Sequence, residues 1–355
     1  MGDAEGNPKQ LSTADMEALV REQPNDPVAL MRLGDSYETQ GEFPKAAGAY
    51  ERAYKANPKL VSAAVKLAQL NGGPLKNKEK AFDYAKKARE LAPTDPKAAA
   101  RLGSIAYQTG NFPWAYSLLQ ESARQIGDDP VILHDLAWAA YSQGNVLEAR
   151  MTMERILKLP SMPREIEDAK TFLTLTALEG AGKDLISAEG EINKTLSVSA
   201  GYVPALMAKA AIQMRRGDTN AAEAIYSDVL KQFPDFAPAQ KYLAAIYSED
   251  PSTTGKASEL ATKARKTLAA DPELTRIFGV IAYQKKEFSR AIQLFEESGR
   301  ITPLEAKSLY FLGMSHLAAA HESEGLDLLS RAVAEGLPPQ LAQKAKEALK
   351  GFHAE

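Results

Sequence analysis

The 355-residue chain carries 43 basic and 46 acidic residues, and its net charge of −3 is spread along the whole sequence. Because no basic block is present to neutralise phosphates, nucleic acid is not expected as a partner. No apolar stretch approaches the ~18 residues of a transmembrane helix, and the lack of cysteine excludes disulfides, thiol catalysis and cysteine-based metal sites.

The N-terminus is predicted as a flexible tail over residues 1–10, followed by a capping helix over residues 11–26. The first ten residues lack the apolar core of a signal peptide. Leu11 to Gln23 form an amphipathic pattern, with Ser12 or Thr13 as the N-cap residue. The compartment stays open: we expect a soluble protein of the cytoplasm or, if a leader has been removed, of the periplasm or cell envelope.

A 34-residue pattern begins at Pro27. Small residues at positions 8 and 20 let two helices approach closely, and large apolar residues at positions 7, 11 and 24 fill the space between them. A glycine near position 15 ends the first helix, and a proline near position 32 stops the second. Counted from Pro27, positions 4, 7, 8, 11, 15, 20, 24, 27 and 32 are Leu30, Leu33, Gly34, Tyr37, Gly41, Ala46, Tyr50, Ala53 and Pro58.

The pattern recurs along the chain and resembles the tetratricopeptide repeat (TPR) family, in about nine repeats of bacterial type. It predicts TPR repeats 1–4 over residues 27–166, TPR repeats 6–9 over residues 203–338, and a C-terminal capping helix and tail over residues 339–355. The resemblance implies an all-α fold: a right-handed superhelical solenoid of antiparallel helix pairs. The two capping helices favour a complete array.

Residues 167–202 form the most degenerate unit. Leu173 and Ala177 fit the first helix of a fifth repeat, but its second helix cannot be phased. We interpret this segment as a repeat with altered packing and as a candidate joint between two blocks of four repeats. The hypothesis is that the superhelix changes its curvature there.

In the TPR family, the first helix of each repeat lines a concave groove, with positions 2, 5, 9 and 12 facing the bound partner. Methionine and aromatic side chains at such positions make adaptable contacts of high energy. The candidate partner-binding residues are Tyr107, His134, Trp138, Tyr141, Met207, Met214, Arg276, Tyr283, Tyr310 and Met314, with Arg215 beside Met214. The position-12 tyrosines stay open to a second interpretation as core residues, because one residue turns a helix by about 100°.

A subgroup of the family clamps the terminal carboxylate of chaperones with lysine and asparagine at positions 5 and 9. In the first repeat these positions hold Met31 and Asp35, so this ligand is not expected. The acidic pair Asp35 and Glu38 favours a basic or neutral partner segment near the N-terminal end, or only solvates its helix.

Catalytic and cofactor motifs are missing. The chain has no Gly-x-Gly-x-x-Gly, no Walker-type phosphate loop and no Gly-x-Ser-x-Gly. His316 and His321 are five residues apart, which on one continuous helix places them on different faces, unlike the i, i+4 pair of a zinc helix. We therefore expect no enzyme activity, no cofactor and no metal site.

Together these features predict a non-catalytic scaffold or adaptor that binds a protein or peptide partner in its groove, within a bacterial multiprotein assembly. Two alternatives stay open. One is a structural repeat protein that self-assembles into a homo-oligomer, and the other is a targeting module for an enzyme encoded elsewhere.

Overall fold

The structure is a computed structural model that describes residues 12–160, 162–178 and 188–352. Within these ranges the regular elements are helices, and no strand occurs. The expectation of an all-α fold built from helix pairs is therefore confirmed for the described part of the chain.

The helices of the first half are α1 (Thr13–Glu22), α2 (Pro27–Thr39), α3 (Phe43–Ala56), α4 (Val61–Gly72), α5 (Lys78–Leu91), α6 (Pro96–Gln108), α7 (Phe112–Ile126), α8 (Pro130–Ser142), α9 (Val146–Ile156) and α10 (Pro163–Leu178). Those of the second half are α11 (Glu189–Val198), α12 (Val203–Arg215), α13 (Thr219–Gln232), α14 (Ala237–Ser248), α15 (Thr254–Arg265), α16 (Pro272–Gln284), α17 (Phe288–Gly299), α18 (Ala306–Ala318), α19 (Glu322–Glu335) and α20 (Pro339–Phe352). A short 3-10 helix, Pro251–Thr253, precedes α15.

The chain divides into two compact units. The N-terminal unit comprises Met1–Tyr141 and Leu147–Lys170, and the C-terminal unit comprises Ser142–Val146 and Thr171–Glu355. One division point lies within α10, near the start of the degenerate segment 167–202. Its role as a joint stays a prediction, and the tail over residues 1–10 lies outside the described residues.

Aspartate–proline pairs start several first helices. Asp26, Asp95 and Asp271 are N-cap residues whose carboxylates accept hydrogen bonds from backbone N–H groups of the first turn, at 3.0, 2.9 and 2.8 Å. The proline that follows each of them needs no hydrogen-bond partner at this position, and its fixed φ suits the helix. At α1 the N-cap is Ser12, which forms a capping box with Asp15.

The turn between the two helices of a repeat passes through the left-handed region at position 15. Glycine takes this conformation in four repeats, with φ between 75° and 87° at Gly41, Gly110, Gly144 and Gly217. Lys286 and Ala320 adopt it in the eighth and ninth repeats, with φ of 62° and 61°. A side chain in this region costs about 1–2 kcal/mol, so these two turns are strained.

Small residues at position 8 allow the paired helices to approach. A Cβ atom added to Gly34 would lie 2.3 Å from the ring of Tyr50 in α3, and one added to Gly279 would lie 2.9 Å from the ring of Phe295 in α17. The two rings are fully buried. In both repeats, the large residue at position 24 therefore occupies the space that the glycine leaves open.

Among the described residues, none of the helices combines the length and the apolar character that a membrane crossing requires.

Candidate partner-binding site

A cavity of about 360 Å³ opens between the first helices of four successive repeats in the C-terminal unit. Its walls come mainly from α12, α14, α16 and α18. The apolar lining residues are Met207, Ala211, Met214, Tyr226, Tyr242, Ala245, Ile277 and Val280. The polar ones are Arg215, Ser248, Glu249, Glu273, Arg276, Glu305, Lys307 and Ser308. The site thus joins a methionine and aromatic interior to a charged rim.

Two stacked tyrosines form part of the wall. The rings of Tyr226 from α13 and Tyr242 from α14 lie 5.6 Å apart with an interplanar angle of 21°. The ammonium group of Lys241 lies 4.9 Å from the centre of the Tyr242 ring, on its face, where a cation is attracted by the ring electrons. Tyr242 is thereby held between a second ring and a cation.

Lys241 is itself held by two carboxylates from the start of the next repeat. Its Nζ atom lies 3.1 Å from Asp271 Oδ2 and 2.6 Å from Glu273 Oε2, and only 10% of its side chain is exposed. Burial opposes the charge, but Tyr242 and the two carboxylates outweigh it and raise the pKa of Lys241. The cation therefore fixes the ring of Tyr242 and connects α14 to α16.

Arg276 is anchored at the C-terminal end of α17. Its Nε donates to Ser298 Oγ at 2.8 Å, and its guanidinium donates to the backbone oxygens of Thr302 and Pro303 at 2.9 and 2.8 Å. A cation is favoured where a helix leaves carbonyl groups unpaired. These partners are neutral, so Arg276 brings a fixed positive charge to the rim of the cavity.

The cavity brings together three of the six candidate residues predicted for this unit. Met207 and Met214 line it from α12, and Arg276 lines it from α16; the neighbouring Arg215 contributes as well. Met314 packs instead against the hydrophobic core of the last repeats. Contact of the three lining residues with a partner stays a prediction.

Tyr310 and Tyr283 pack against phenylalanine rings and do not line the cavity. Tyr310 is 3% exposed, and its ring lies 5.2 Å from that of Phe311. Tyr283 is half-buried between Phe311 and Phe288, at 5.2 and 5.9 Å. Burial raises the pKa of Tyr310 to about 12, with a smaller contribution from Tyr283. Both side chains serve the packing of the last repeats, and their contact with a partner stays a prediction.

In the N-terminal unit, two of the groove candidates form hydrogen bonds within the protein. His134 and Trp138 in α8 both contact Asp168 of α10: His134 Nε2 lies 2.8 Å from Asp168 Oδ2, and Trp138 Nε1 donates to the same oxygen at 3.0 Å. Asp135 Oδ1 lies 3.6 Å from His134 Nδ1, and Ser104 Oγ donates to the Asp135 carboxylate. The polar atoms of both candidates therefore bind within the protein.

This network changes the protonation of His134. Burial disfavours the imidazolium ion, but the carboxylates of Asp135 and Asp168 outweigh burial and raise the pKa of His134 from 6.5 to about 9. His134 is therefore a cation at neutral pH, paired with two carboxylates.

The remaining two candidates of this unit are packing residues. Tyr141 is 1% exposed, with its ring 6.2 Å from that of Trp138. Tyr107 is half-buried, and its ring lies 5.3 Å from that of Phe112. The burial of Tyr141 agrees with the second interpretation of the position-12 tyrosines, as core residues, and its contact with a partner stays a prediction.

The negative charge of the acidic pair Asp35 and Glu38 is largely neutralised by a lysine of the same unit. Lys66 Nζ in α4 lies 3.1 Å from Asp35 and 2.9 Å from Glu38, and the hydroxyl oxygen of Tyr50 lies 2.7 Å from an oxygen of each carboxylate, so that it donates its proton to one of them. Burial and these two carboxylates raise the pKa of Tyr50. The pair therefore offers less free negative charge to a basic partner than the sequence indicated.

The placement of the C-terminal histidines differs from the expectation. Because α18 ends at Ala318 and the chain turns back, His316 and His321 do not lie on one helix, and their Nδ1 atoms are 3.3 Å apart. Burial and the neighbouring His321 lower the pKa of His316. In the described part of the chain, no group of three or more potential metal-binding side chains is present.

Tyr242 and Ala245 of the cavity wall were not among the sequence candidates. Counting from Ala237 in the seventh repeat places Lys241 at position 5 and Ala245 at position 9, so the groove positions do identify this helix. Tyr242 at position 6 falls between them and carries no such signal. Its part in the wall depends on Lys241 and Tyr226, which are brought to it only by the fold.

Two family models, both described as tetratricopeptide repeat, match residues 12–60 and 205–235. The comparison with curated proteins gives no significant match.

Among solved structures, a thermophilic TPR protein of Thermus thermophilus is similar with 19% identity and a TM-score of 0.39, over 46% of this chain and 89% of that one. A TPR protein from Parabacteroides merdae has 17% identity and a TM-score of 0.34, over 72% of this chain and 98% of that one. The MamA protein has 18% identity and a TM-score of 0.38, over 44% of this chain and 83% of that one.

The family matches fall on helix pairs of both units, and paired helices with the 34-residue pattern continue between and beyond them. Tetratricopeptide repeats are therefore present in both units, over residues 12–60 and 205–235.

Proposed function

We propose that this protein is a non-catalytic scaffold that holds a segment of a protein partner on the first-helix face of its C-terminal unit. Tetratricopeptide repeats serve as protein-interaction scaffolds, which supports the general role. The observation that carries the specific proposal is the cavity between α12, α14, α16 and α18. Its volume of about 360 Å³ lies within the range of about 300–1,000 Å³ of ligand pockets.

The lining points to an apolar side chain of the partner as the anchor. Met207 and Met214 have flexible, polarisable side chains that adapt to an inserted group, and Tyr242 offers a ring held in place by Lys241. Aromatic and methionine surroundings are typical of the buried centre of an interface. An aromatic or long aliphatic residue therefore suits the interior.

The rim suits the polar part of the partner segment. Arg276 presents a fixed guanidinium group, and the ion pair between Lys307 and Glu249 lies beside it on the cavity wall. Groups of both signs can meet backbone or side-chain polar atoms that flank the apolar anchor. We therefore propose a short peptide segment with one buried apolar anchor, from a protein that shares an assembly with this chain.

The bacterial setting of that assembly, a non-catalytic role and the absence of nucleic acid among the partners are parts of the same proposal. The even distribution of the 43 basic and 46 acidic residues supports the last of these.

To test whether the cavity binds the partner, a methionine is replaced by glutamate at two positions, one inside the cavity and one outside it. Met214→Glu places a charge in the cavity, whereas Met151→Glu makes the same change at a side chain of α9 that is 57% exposed in the N-terminal unit. Circular dichroism first checks that both variants are folded. Partners are then captured from a native lysate with the wild-type protein and with each variant.

We expect a partner that is retained by the wild type and by Met151→Glu and is lost with Met214→Glu. A partner retained equally by all three proteins would show that the cavity is not the binding site. Recovery of this chain alone would instead favour the self-assembling alternative.

A further inference from the structure

The turn between α18 and α19 brings two imidazole rings together. His316 lies near the end of α18 and His321 is the N-cap residue of α19. Their Nδ1 atoms are 3.3 Å apart, and their ring centres are 5.4 Å apart. His316 is half-buried and His321 is exposed, so the pair is reached from solvent.

The backbone fixes this arrangement. The N–H groups of Ala319 and His321 both donate to the carbonyl oxygen of His316, at 3.0 and 2.9 Å. Ala320 between them has a φ of 61°, at the position where four other repeats have a glycine. The chain thus keeps a strained turn at the point that faces one histidine towards the other, and strain of this kind is often retained at functional sites.

The separation of the two nitrogens matches the spacing of metal ligands. Two imidazole nitrogens bound to one tetrahedral Zn²⁺ ion at about 2.0–2.1 Å lie about 3.3–3.4 Å from each other. The same spacing is present between His316 Nδ1 and His321 Nδ1. We propose that these two histidines form a binding site for a divalent transition-metal ion that prefers imidazole, such as Zn²⁺ or Cu²⁺.

Two carboxylates act on the pair from neighbouring helices. Glu296 from α17 and Glu324 from α19 attract positive charge at His316, whereas burial and the neighbouring His321 oppose it more strongly. The described residues contain no group of three ligands, so within them the site has two ligands, and water would fill the other coordination positions. The ion connects the end of α18 to the start of α19, so its binding stabilises the last repeat.

The experiment is calorimetric titration of the metal-free full-length protein with zinc chloride at pH 7.5. Three single variants accompany the wild type: His316→Ala, His321→Ala and His353→Ala. His321 makes no side-chain cap hydrogen bond, so its replacement removes no cap from the start of α19. His353 lies outside the described residues and is the control for replacing a histidine elsewhere in the sequence.

We expect one Zn²⁺ ion per chain in the wild type and in His353→Ala, and loss of this binding in each of the other two variants. Electron paramagnetic resonance of the Cu²⁺ form should detect two nitrogen ligands. No heat of binding at millimolar zinc, or binding that persists unchanged in His321→Ala, would overturn the proposal. In that case the 3.3 Å contact is a hydrogen bond between the two rings.

Discussion

The first-helix faces of the two units are built on one repeat pattern but differ in what meets their side chains. In the N-terminal unit, Asp168 contacts His134 and Trp138, and Lys66 bridges Asp35 and Glu38. In the C-terminal unit, the corresponding helices leave a cavity lined by methionine and tyrosine. The groove positions of the N-terminal unit are thus paired within the protein, whereas Met207 and Met214 of the C-terminal unit line an open cavity.

The largest effect on the free energy of unfolding should come from removing Lys241, which supports the cavity wall. Lys241→Ala leaves Asp271 and Glu273 without their cation and removes the charge that holds Tyr242. Loss of one member of a largely buried ion pair should lower the free energy of unfolding by about 3 kcal/mol. The matched control is Lys231→Ala, whose ion pair with Asp228 is exposed, and it should cost less than about 1 kcal/mol. Urea unfolding measures both, and equal costs would contradict the role of Lys241.

The corresponding network in the N-terminal unit should respond to pH. The pKa of His134 in the folded protein is about 9, above its ordinary value of 6.5. Its protonated form therefore contributes stability in full below pH 6.5, and this contribution is lost as the pH rises through 9. Since a quarter of the side chain is exposed, we expect an effect of about 2 kcal/mol.

The variant His134→Gln isolates this effect, because glutamine can hydrogen-bond to Asp168 but carries no charge. The stability difference between the wild type and the variant should shrink between pH 6 and pH 10. A difference that stays constant over this range would mean that His134 is neutral in the folded protein.

Close packing between paired helices can be tested with two glycines of the first repeat. Gly34→Ala places a Cβ against the ring of Tyr50, whose hydroxyl is held by Asp35 and Glu38 and so cannot move freely. We expect a loss of about 2 kcal/mol. Gly48 in α3 has no atom within 4 Å of an added Cβ, so Gly48→Ala should be neutral or gain up to about 1 kcal/mol. Thermal unfolding would refute the packing argument if both variants changed equally.

The smallest effect concerns the strained turn of the eighth repeat. Lys286 has a φ of 62° and is exposed, so Lys286→Gly should relieve strain and raise stability by about 1 kcal/mol. The neighbouring Lys285→Gly, at a φ of −79°, should bring no gain. Denaturant unfolding would count against the argument if Lys286→Gly were less stable than the wild type.

Much of the fold follows from local sequence signals. Helix starts at Pro27, Pro96 and Pro272 follow from an aspartate cap and a proline with a fixed φ, and Gly34 and Gly279 mark close approaches between helices. These signals act within a few residues or within one helix pair. They are therefore visible without knowledge of the tertiary structure.

The candidate site was harder to predict from the sequence, because it depends on contacts between repeats. The pairing of His134 with Asp168 joins residues 34 positions apart, and that of Lys66 with Glu38 joins residues 28 positions apart. Whether Tyr141 faces the core or the groove depends on a rotation of one residue. His316 and His321 approach each other because α18 ends at Ala318. The sequence does not indicate this helix end, because the turn has Ala320 where other repeats have a glycine.

The central claim, that the cavity of the C-terminal unit receives a partner segment, is tested most directly by site-specific photo-crosslinking in native cells. A photoreactive phenylalanine analogue replaces Met214 in one protein and Met151 in another, and crosslinked peptides are identified by mass spectrometry. We predict that position 214 crosslinks to one segment of another protein, centred on an apolar residue, and that position 151 does not. Crosslinks from position 151 alone, or the same products from both positions, would contradict the claim.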